Sequence, residues 1–128
     1  MVIDTSALAA ILFKEADRRH FLELIDGDPV RLISSVTALE AAMVIEARKR
    51  EFGGRELDLF MHKTKIEIVT FTADHFEMAR HAWRKFGKSN HPAALNFCDC
   101  CAYALSKMSG EPLLFKGNDF SRTDVARV

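Results

Sequence analysis

In the stretch Met1-Val2-Ile3-Asp4-Thr5-Ser6-Ala7-Leu8-Ala9-Ala10-Ile11-Leu12-Phe13, Val2 and Ile3 form a short β-type run ending at Asp4, and Ala7 to Phe13 continues as an apolar helix. Asp4, Thr5 or Ser6 can each cap that helix. The chain thus begins strand, turn, helix, and the same alternation recurs downstream. A second helical stretch spans about Asp17 to Ile25 and closes at the turn Asp26-Gly27-Asp28-Pro29. Arg31 to Ser34 reads as a second strand, and a long helix from about Val36 to Arg50 is expected to stop at Gly53-Gly54. Another helix covers Arg55 to Lys63, and Ile66 to Phe71 alternates apolar and polar as a third strand. Helical spacing returns from Ala73 to Phe86. After a loop over Gly87 to Leu95, Asn96 caps a helix running to Met108, which Gly110 and Pro112 end. Leu113-Leu114-Phe115 suits a fully buried strand, and Asp124 to Val128 is expected to add an edge strand. Strands alternating with helices in this way predict one α/β domain over residues 1–128, with a mainly parallel sheet of four or five strands covered on both faces.

The 128 residues carry 18 Lys+Arg against 18 Asp+Glu, a formal net charge of zero, with 48% hydrophobic and 28% charged residues. This length buries enough surface to fold without disulfides or structural metals. A neutral total argues against a generic polyanion coat, which relies on a large basic excess. The three cysteines, Cys98, Cys100 and Cys101, cluster within one helical turn and form no secreted disulfide framework. Neighbouring helical positions point about 100° apart, so these thiols cannot converge on one ion, and small buried hydrophobes are the expected role. No apolar run is long enough for a membrane span or a signal peptide, and the reducing cytoplasm is the expected compartment.

In an open parallel sheet, ligands bind beyond the carboxyl ends of the strands. That edge is expected to collect acids: Asp4 after the first strand, Glu40 near the start of the helix after the second, Asp99 in the first turn of the Asn96 helix, and Asp119 after Lys116-Gly117-Asn118. Glu40 shares its spacing with Val36, Met43, Val44 and Ala47, which predicts a carboxylate on an apolar, buried stripe. Each acid also has a local reading: Asp4 as a helix cap, Asp99 in a capping box with Asn96, Asp119 in turn chemistry. Together, four carboxylates at one edge repel one another unless cations or shared protons intervene. Oxygen-only ligands select a hard cation, Mg²⁺ or Mn²⁺, which can activate water for attack on phosphorus.

Met1-Val-Ile-Asp4-Thr-Ser-Ala-Leu, Leu39-Glu40-Ala-Ala, Asn96-Phe-Cys-Asp99-Cys-Cys-Ala-Tyr-Ala-Leu, Pro112-Leu-Leu-Phe-Lys-Gly-Asn-Asp119-Phe and Thr123-Asp124-Val, in this order, resemble PIN-domain ribonucleases, and most closely the VapC-type toxins of bacterial toxin-antitoxin pairs. The resemblance implies a three-layer α/β/α fold, a Mg²⁺-dependent endoribonuclease, and a small cognate antitoxin that blocks the site. It also implies homodimers and larger toxin-antitoxin complexes. Carried onto this chain, Asp4 and Asp99 match direct metal ligands, and Glu40 and Asp119 match acids that reach the metal through water. Thr5 and Ser6 match supporting hydroxyl residues, Asn118 adjoins the fourth acid, and Asp124 can share or replace the role of Asp119. Cys98 departs from the pattern, standing where the related motif usually has glycine, and a side chain there is expected to crowd the approach to Asp99 or slightly tilt its helix.

Between Met78 and Cys98 there is no acid, while Arg80, Arg84, Lys85 and Lys88 are positive. Arg84, Lys85 and Lys88 are candidates for an RNA-backbone track, with a solvated helix face as the plainer alternative. His91 in the same loop is expected to make a loop or substrate contact rather than act as a base. Two rival functions remain open. A Mg²⁺ phosphomonoesterase of the haloacid-dehalogenase type needs Asp-X-Asp, and position 6 is serine. A catalytically silent RNA- or protein-binding module needs none of the acids. With the four acids set apart, 18 basic residues face 14 acidic ones, so the body around an acidic centre is mildly basic.

Overall fold

The computed structural model describes residues 1–128. Four strands, β1 (Val2–Ile3), β2 (Leu32–Ser34), β3 (Glu67–Val69) and β4 (Leu113–Leu114), form one sheet in the order β3-β2-β1-β4, with every pairing parallel. Five helices connect them: α1 (Thr5–Leu12), α2 (Arg18–Gly27), α3 (Ser35–Lys63), α4 (Ala73–Phe86) and α5 (Phe97–Ser109). Alternation along β1 sends Ile3 to one face and Val2 to the other. Ile3 joins Leu8, Ile11, Ile25, Ile33 and Ile45 beneath α1, α2 and α3. Val2 joins Ala82, Leu95, Tyr103 and Leu113 beneath α4 and α5. The result is the expected three-layer α/β/α sandwich. Because β2 lies on one side of β1 and β4 on the other, the strand order reverses between β1 and β4. Their carboxyl ends open the crevice where such sheets bind ligands.

The sheet has four strands. The expected edge strand over Asp124 to Val128 amounts to a single parallel bridge between Arg127 and Leu113. The expected halt at Gly53-Gly54 is also corrected. Helix α3 breaks at Arg50 (φ 59°, ψ −158°), where its first half was expected to end, but both glycines lie inside its second half and do not separate two helices. A Cβ on Gly53 would sit 2.5 Å from Lys49 Cβ and 3.0 Å from Ile45 Cγ2, so this glycine lets the two halves fold closely across the elbow. It marks a close approach and does not stop the helix.

Glu40 is the third correction. The stripe it shares is turned to the outside: Met43 is 64% exposed, Val44 and Ala47 are exposed, and Val36 and Glu40 itself are half-buried. The inward face of α3 is Thr37, Ala41 and Ile45, small or β-branched residues one step around the helix. Two apolar stripes compete in this segment, and periodicity alone picks the more hydrophobic one. Cys100 and Cys101 are buried as small core residues, and Cys98 is half-buried.

Candidate active site

Asp4 leaves β1 in extended geometry (φ −87°, ψ 156°) and caps α1. Its Oδ2 accepts from the Ser6 backbone N–H at 3.0 Å and from the Ser6 hydroxyl at 2.6 Å. The same Ser6 oxygen accepts the Lys116 backbone N–H at 2.9 Å. Ser6 therefore ties the acid after β1 to the segment leaving β4, which carries Asp119. Thr5 performs a parallel task, its hydroxyl donating to the Thr37 carbonyl at 3.3 Å and joining the start of α1 to the first turn of α3, one turn before Glu40. Thr37 Oγ1 is buried without a partner.

Asp99 sits at the third position of α5 in a reciprocal capping box. The Asn96 backbone N–H donates to Asp99 Oδ2, and the Asp99 N–H donates to Asn96 Oδ1, both at 2.9 Å. The local roles of Asp4 and Asp99 as caps are thus real and coexist with membership of the acidic cluster. Each buried aspartate commits Oδ2 to the protein and leaves Oδ1 without a protein partner.

Electrostatics shows which acids are brought together. Burial pushes the Asp99 carboxyl up to about 7, helped by the charges of Asp4, Asp119 and Glu40 and opposed by the Asn96 N–H. Asp4 is raised chiefly by burial and further by Glu40, against the bonds from Ser6. Glu40 is half-buried and Asp119 exposed. No Lys, Arg or His forms an ion pair with any of the four. No three of them close on one point at ligand distance in this arrangement. An all-oxygen donor set without a protein counter-charge fits a hard divalent cation with part of its shell supplied by water.

Asp124 is placed elsewhere. Its Oδ1 accepts the Tyr103 hydroxyl at 2.7 Å, and its Oδ2 faces Lys107 at 3.3 Å and Lys85 at 3.7 Å. These partners hold its carboxyl below the usual range, while burial and the Asp124 carboxylate push the tyrosine hydroxyl up. Lys85 is committed to that network, whereas Arg84 and Lys88 are exposed and have no carboxylate partner. Asn118 lies in the exposed turn before Asp119, where its carbonyl accepts the Ser121 N–H. His91 packs its ring edge-on against Phe86, and its Nδ1 accepts the Ala93 N–H at 3.0 Å. Cys98 leaves the Asp99 capping box intact. Its thiol is pushed up to about 12 by burial and by the Glu40 carboxylate it faces.

Sequence reasoning did not foresee the Lys116 N–H as the link between the two carboxyl-terminal strand ends, because a backbone donor leaves no trace in residue type. Nor did it foresee an apolar groove of about 480 Å³ between α4 and α5, beside Asn96. The signal for that groove was available in Phe76 and Trp83, too large to share one inward face with Ala79, Ala82 and Phe86.

The PIN domain family model matches residues 1–126. The chain is 52% identical over 128 residues to the VapC ribonuclease Mb0640 of Mycobacterium bovis, spanning all of this chain and 98% of that protein. It is likewise 52% identical to the Ribonuclease VapC of Mycolicibacterium smegmatis, covering all of this chain and 99% of that one. Among solved structures, Mycobacterium tuberculosis VapC20, described as a sarcin-ricin loop cleaving toxin, is similar with a TM-score of 0.81 at 19% identity, covering 99% of this chain and 97% of that one. VapBC2 from Rickettsia felis, bound to a DNA fragment from its promoter, gives a TM-score of 0.78 at 17% identity over 98% and 94% of the two chains. These two structural likenesses bear on the fold alone.

Proposed function

This chain belongs to the PIN-domain family, in its VapC branch, and from that premise we propose that it is a Mg²⁺-dependent endoribonuclease, the toxin of a toxin-antitoxin pair. The observation that supports this reading best is a set of four carboxylates at the β1/β4 switch point with no protein cation paired to any of them. Such a cluster is costly as it stands and is relieved by a divalent ion.

In this reading Asp4 and Asp99 hold the ion through their uncommitted oxygens. Mg²⁺, or Mn²⁺ in its place, supplies Lewis acidity toward the scissile phosphate and the attacking water. Glu40 and Asp119 hold that water by hydrogen bonds and accept its proton. Ser6 keeps Asp4 and the Asp119 segment in register, and Thr5 does the same for the first turn of α3. Arg84 and Lys88 are unpaired and contact the RNA backbone, while Lys85 and Asp124 stabilise the carboxyl-terminal segment instead.

The antitoxin is a protein partner that covers the site. Leu39, Met43 and Val44, exposed on α3 beside Glu40, give such a partner apolar surface adjoining the acids. Homodimers and a larger toxin-antitoxin complex belong to the same reading. No helix is long and apolar enough to cross a membrane.

Incubating purified protein with labelled structured RNA, with Mg²⁺ and with a chelator, tests this. Internal cuts that need the metal and vanish in Asp99→Asn are expected. Release of terminal phosphate alone, or RNA binding without cuts, would overturn the reading in favour of a phosphatase or a silent binding module.

A further inference from the structure

We propose that the groove between α4 and α5 is a stacking site for unpaired nucleobases of RNA lying next to the scissile phosphate; this rests on the ribonuclease reading. Phe76, Trp83 and Phe97 wall the groove, and Lys88 and Asn96 stand at its edge. Phe97 is 73% exposed, and Phe76 and Trp83 are each 49% exposed, an unusual outlay of aromatic surface for one small face. The volume of about 480 Å³ lies in the range of small-ligand clefts.

The groove is continuous with the acidic site. Asn96 borders it, and the Asn96 N–H holds the Asp99 carboxylate. Phe97 precedes Asp99 by two residues, about 3 Å along the axis of α5. A base seated on Phe97 therefore leaves its own phosphate beside the carboxylates.

Charge decides among occupants. No acidic residue occurs from Ala79 to Phe97, and of the two cations that line the groove, Arg80 and Lys88, Lys88 has no carboxylate partner. Arg80 is paired to Glu77 and lies over the Phe76 ring at 5.1 Å. Aromatic faces beside a free cation are the composition that holds single strands, with rings taking the bases and the cation the backbone. A second copy of this chain fits less well, since no carboxylate lines the groove to meet Lys88 across a two-fold contact.

Trp83 is the only tryptophan, so its fluorescence reports on the groove directly. In chelator, where no cutting is expected, short single-stranded oligoribonucleotides are titrated against abasic oligomers of equal length and charge. Base-containing strands are expected to quench Trp83 and bind more tightly than abasic ones. Phe97→Ala, an exposed position whose loss leaves the core intact, is expected to weaken that binding roughly tenfold without changing the abasic affinity. Equal affinity for both strands would overturn the proposal. So would unchanged affinity in Phe97→Ala together with loss of a wild-type dimer in sedimentation, which would make the groove an interface between copies. Base-dependent binding in a protein that never cuts RNA would overturn the ribonuclease reading and keep the groove. Metal-dependent cutting with base-independent binding would do the reverse.

Discussion

Replacing Asp99 with asparagine is expected to make the metal-free protein more stable at neutral pH while removing its activity. Asparagine keeps a side-chain oxygen for the Asn96 N–H, so the capping box survives the change. What disappears is a buried carboxyl pushed up to about 7 by burial and by Asp4, Asp119 and Glu40. Its ordinary value is near 4, so between about pH 4 and pH 7 the folded chain binds a proton that the unfolded chain does not. Stability therefore falls as pH rises through that window and stays low above it. A shift of about three pH units corresponds to a ceiling of roughly 4 kcal/mol. Relaxation and water entry bring the realised gain to about 2 kcal/mol, or on the order of 5–10 °C in Tm for a chain of this size. Calorimetry in chelator checks this at pH 7.5 and pH 5. Asp99→Asn should melt well above wild type at pH 7.5, and the gap should shrink at pH 5, where wild-type Asp99 is already protonated. Equal or lower Tm for the variant at pH 7.5 would refute the claim that the acids repel one another around Asp99.

Three further outcomes follow from the same geometry. Ser6→Ala removes the hydroxyl's bonds to Asp4 and to the Lys116 N–H while leaving the backbone N–H bond to Asp4, and should cost about 1–2 kcal/mol in denaturant unfolding while lowering RNA cleavage more than tenfold. Gly53→Ala drives a methyl toward Lys49 Cβ and Ile45 at the α3 elbow and should destabilise the chain by roughly 1–3 kcal/mol, measured by urea melts, with the site chemistry unchanged in the folded fraction. Tyr103→Phe frees Asp124 from its hydroxyl donor and should cost about 1.5 kcal/mol, read by urea melts, with cleavage retained. Because Asp124 is held below its ordinary value, the stability it contributes is present above about pH 4 and is lost on acidification, so Tyr103→Phe and wild type should converge at low pH.

The legible parts of this chain are those set by local pattern. Asp4 follows two β-type residues and precedes an apolar helix, and Asn96 and Asp99 stand three apart before another, so their elements and caps follow from neighbours in sequence. The order of the four strands along the sheet, once known, brings Asp4, Glu40, Asp99 and Asp119 into one field. Three things depend on distant contacts and could not be read. Gly53 meets Ile45 and Lys49 across the α3 elbow at Arg50 and continues the helix, which a Gly-Gly pair read as punctuation conceals. Glu40 is half-exposed because the buried stripe of α3 is the less hydrophobic of two. Asp119 and Asp124 look interchangeable five residues apart, yet Tyr103 and Lys107 on α5 capture only Asp124.

If the four acids direct a metal-assisted attack of water on an RNA phosphodiester, the oxygen of that water ends on a product. Cleaving a defined RNA in heavy-oxygen water with Mg²⁺, and weighing the new ends by mass spectrometry, tests it most directly. One heavy oxygen on each new terminal phosphate is expected, with no cyclic phosphate and no product in chelator or with Asp99→Asn. A 2′,3′-cyclic phosphate end, or cuts that persist in chelator, would contradict it.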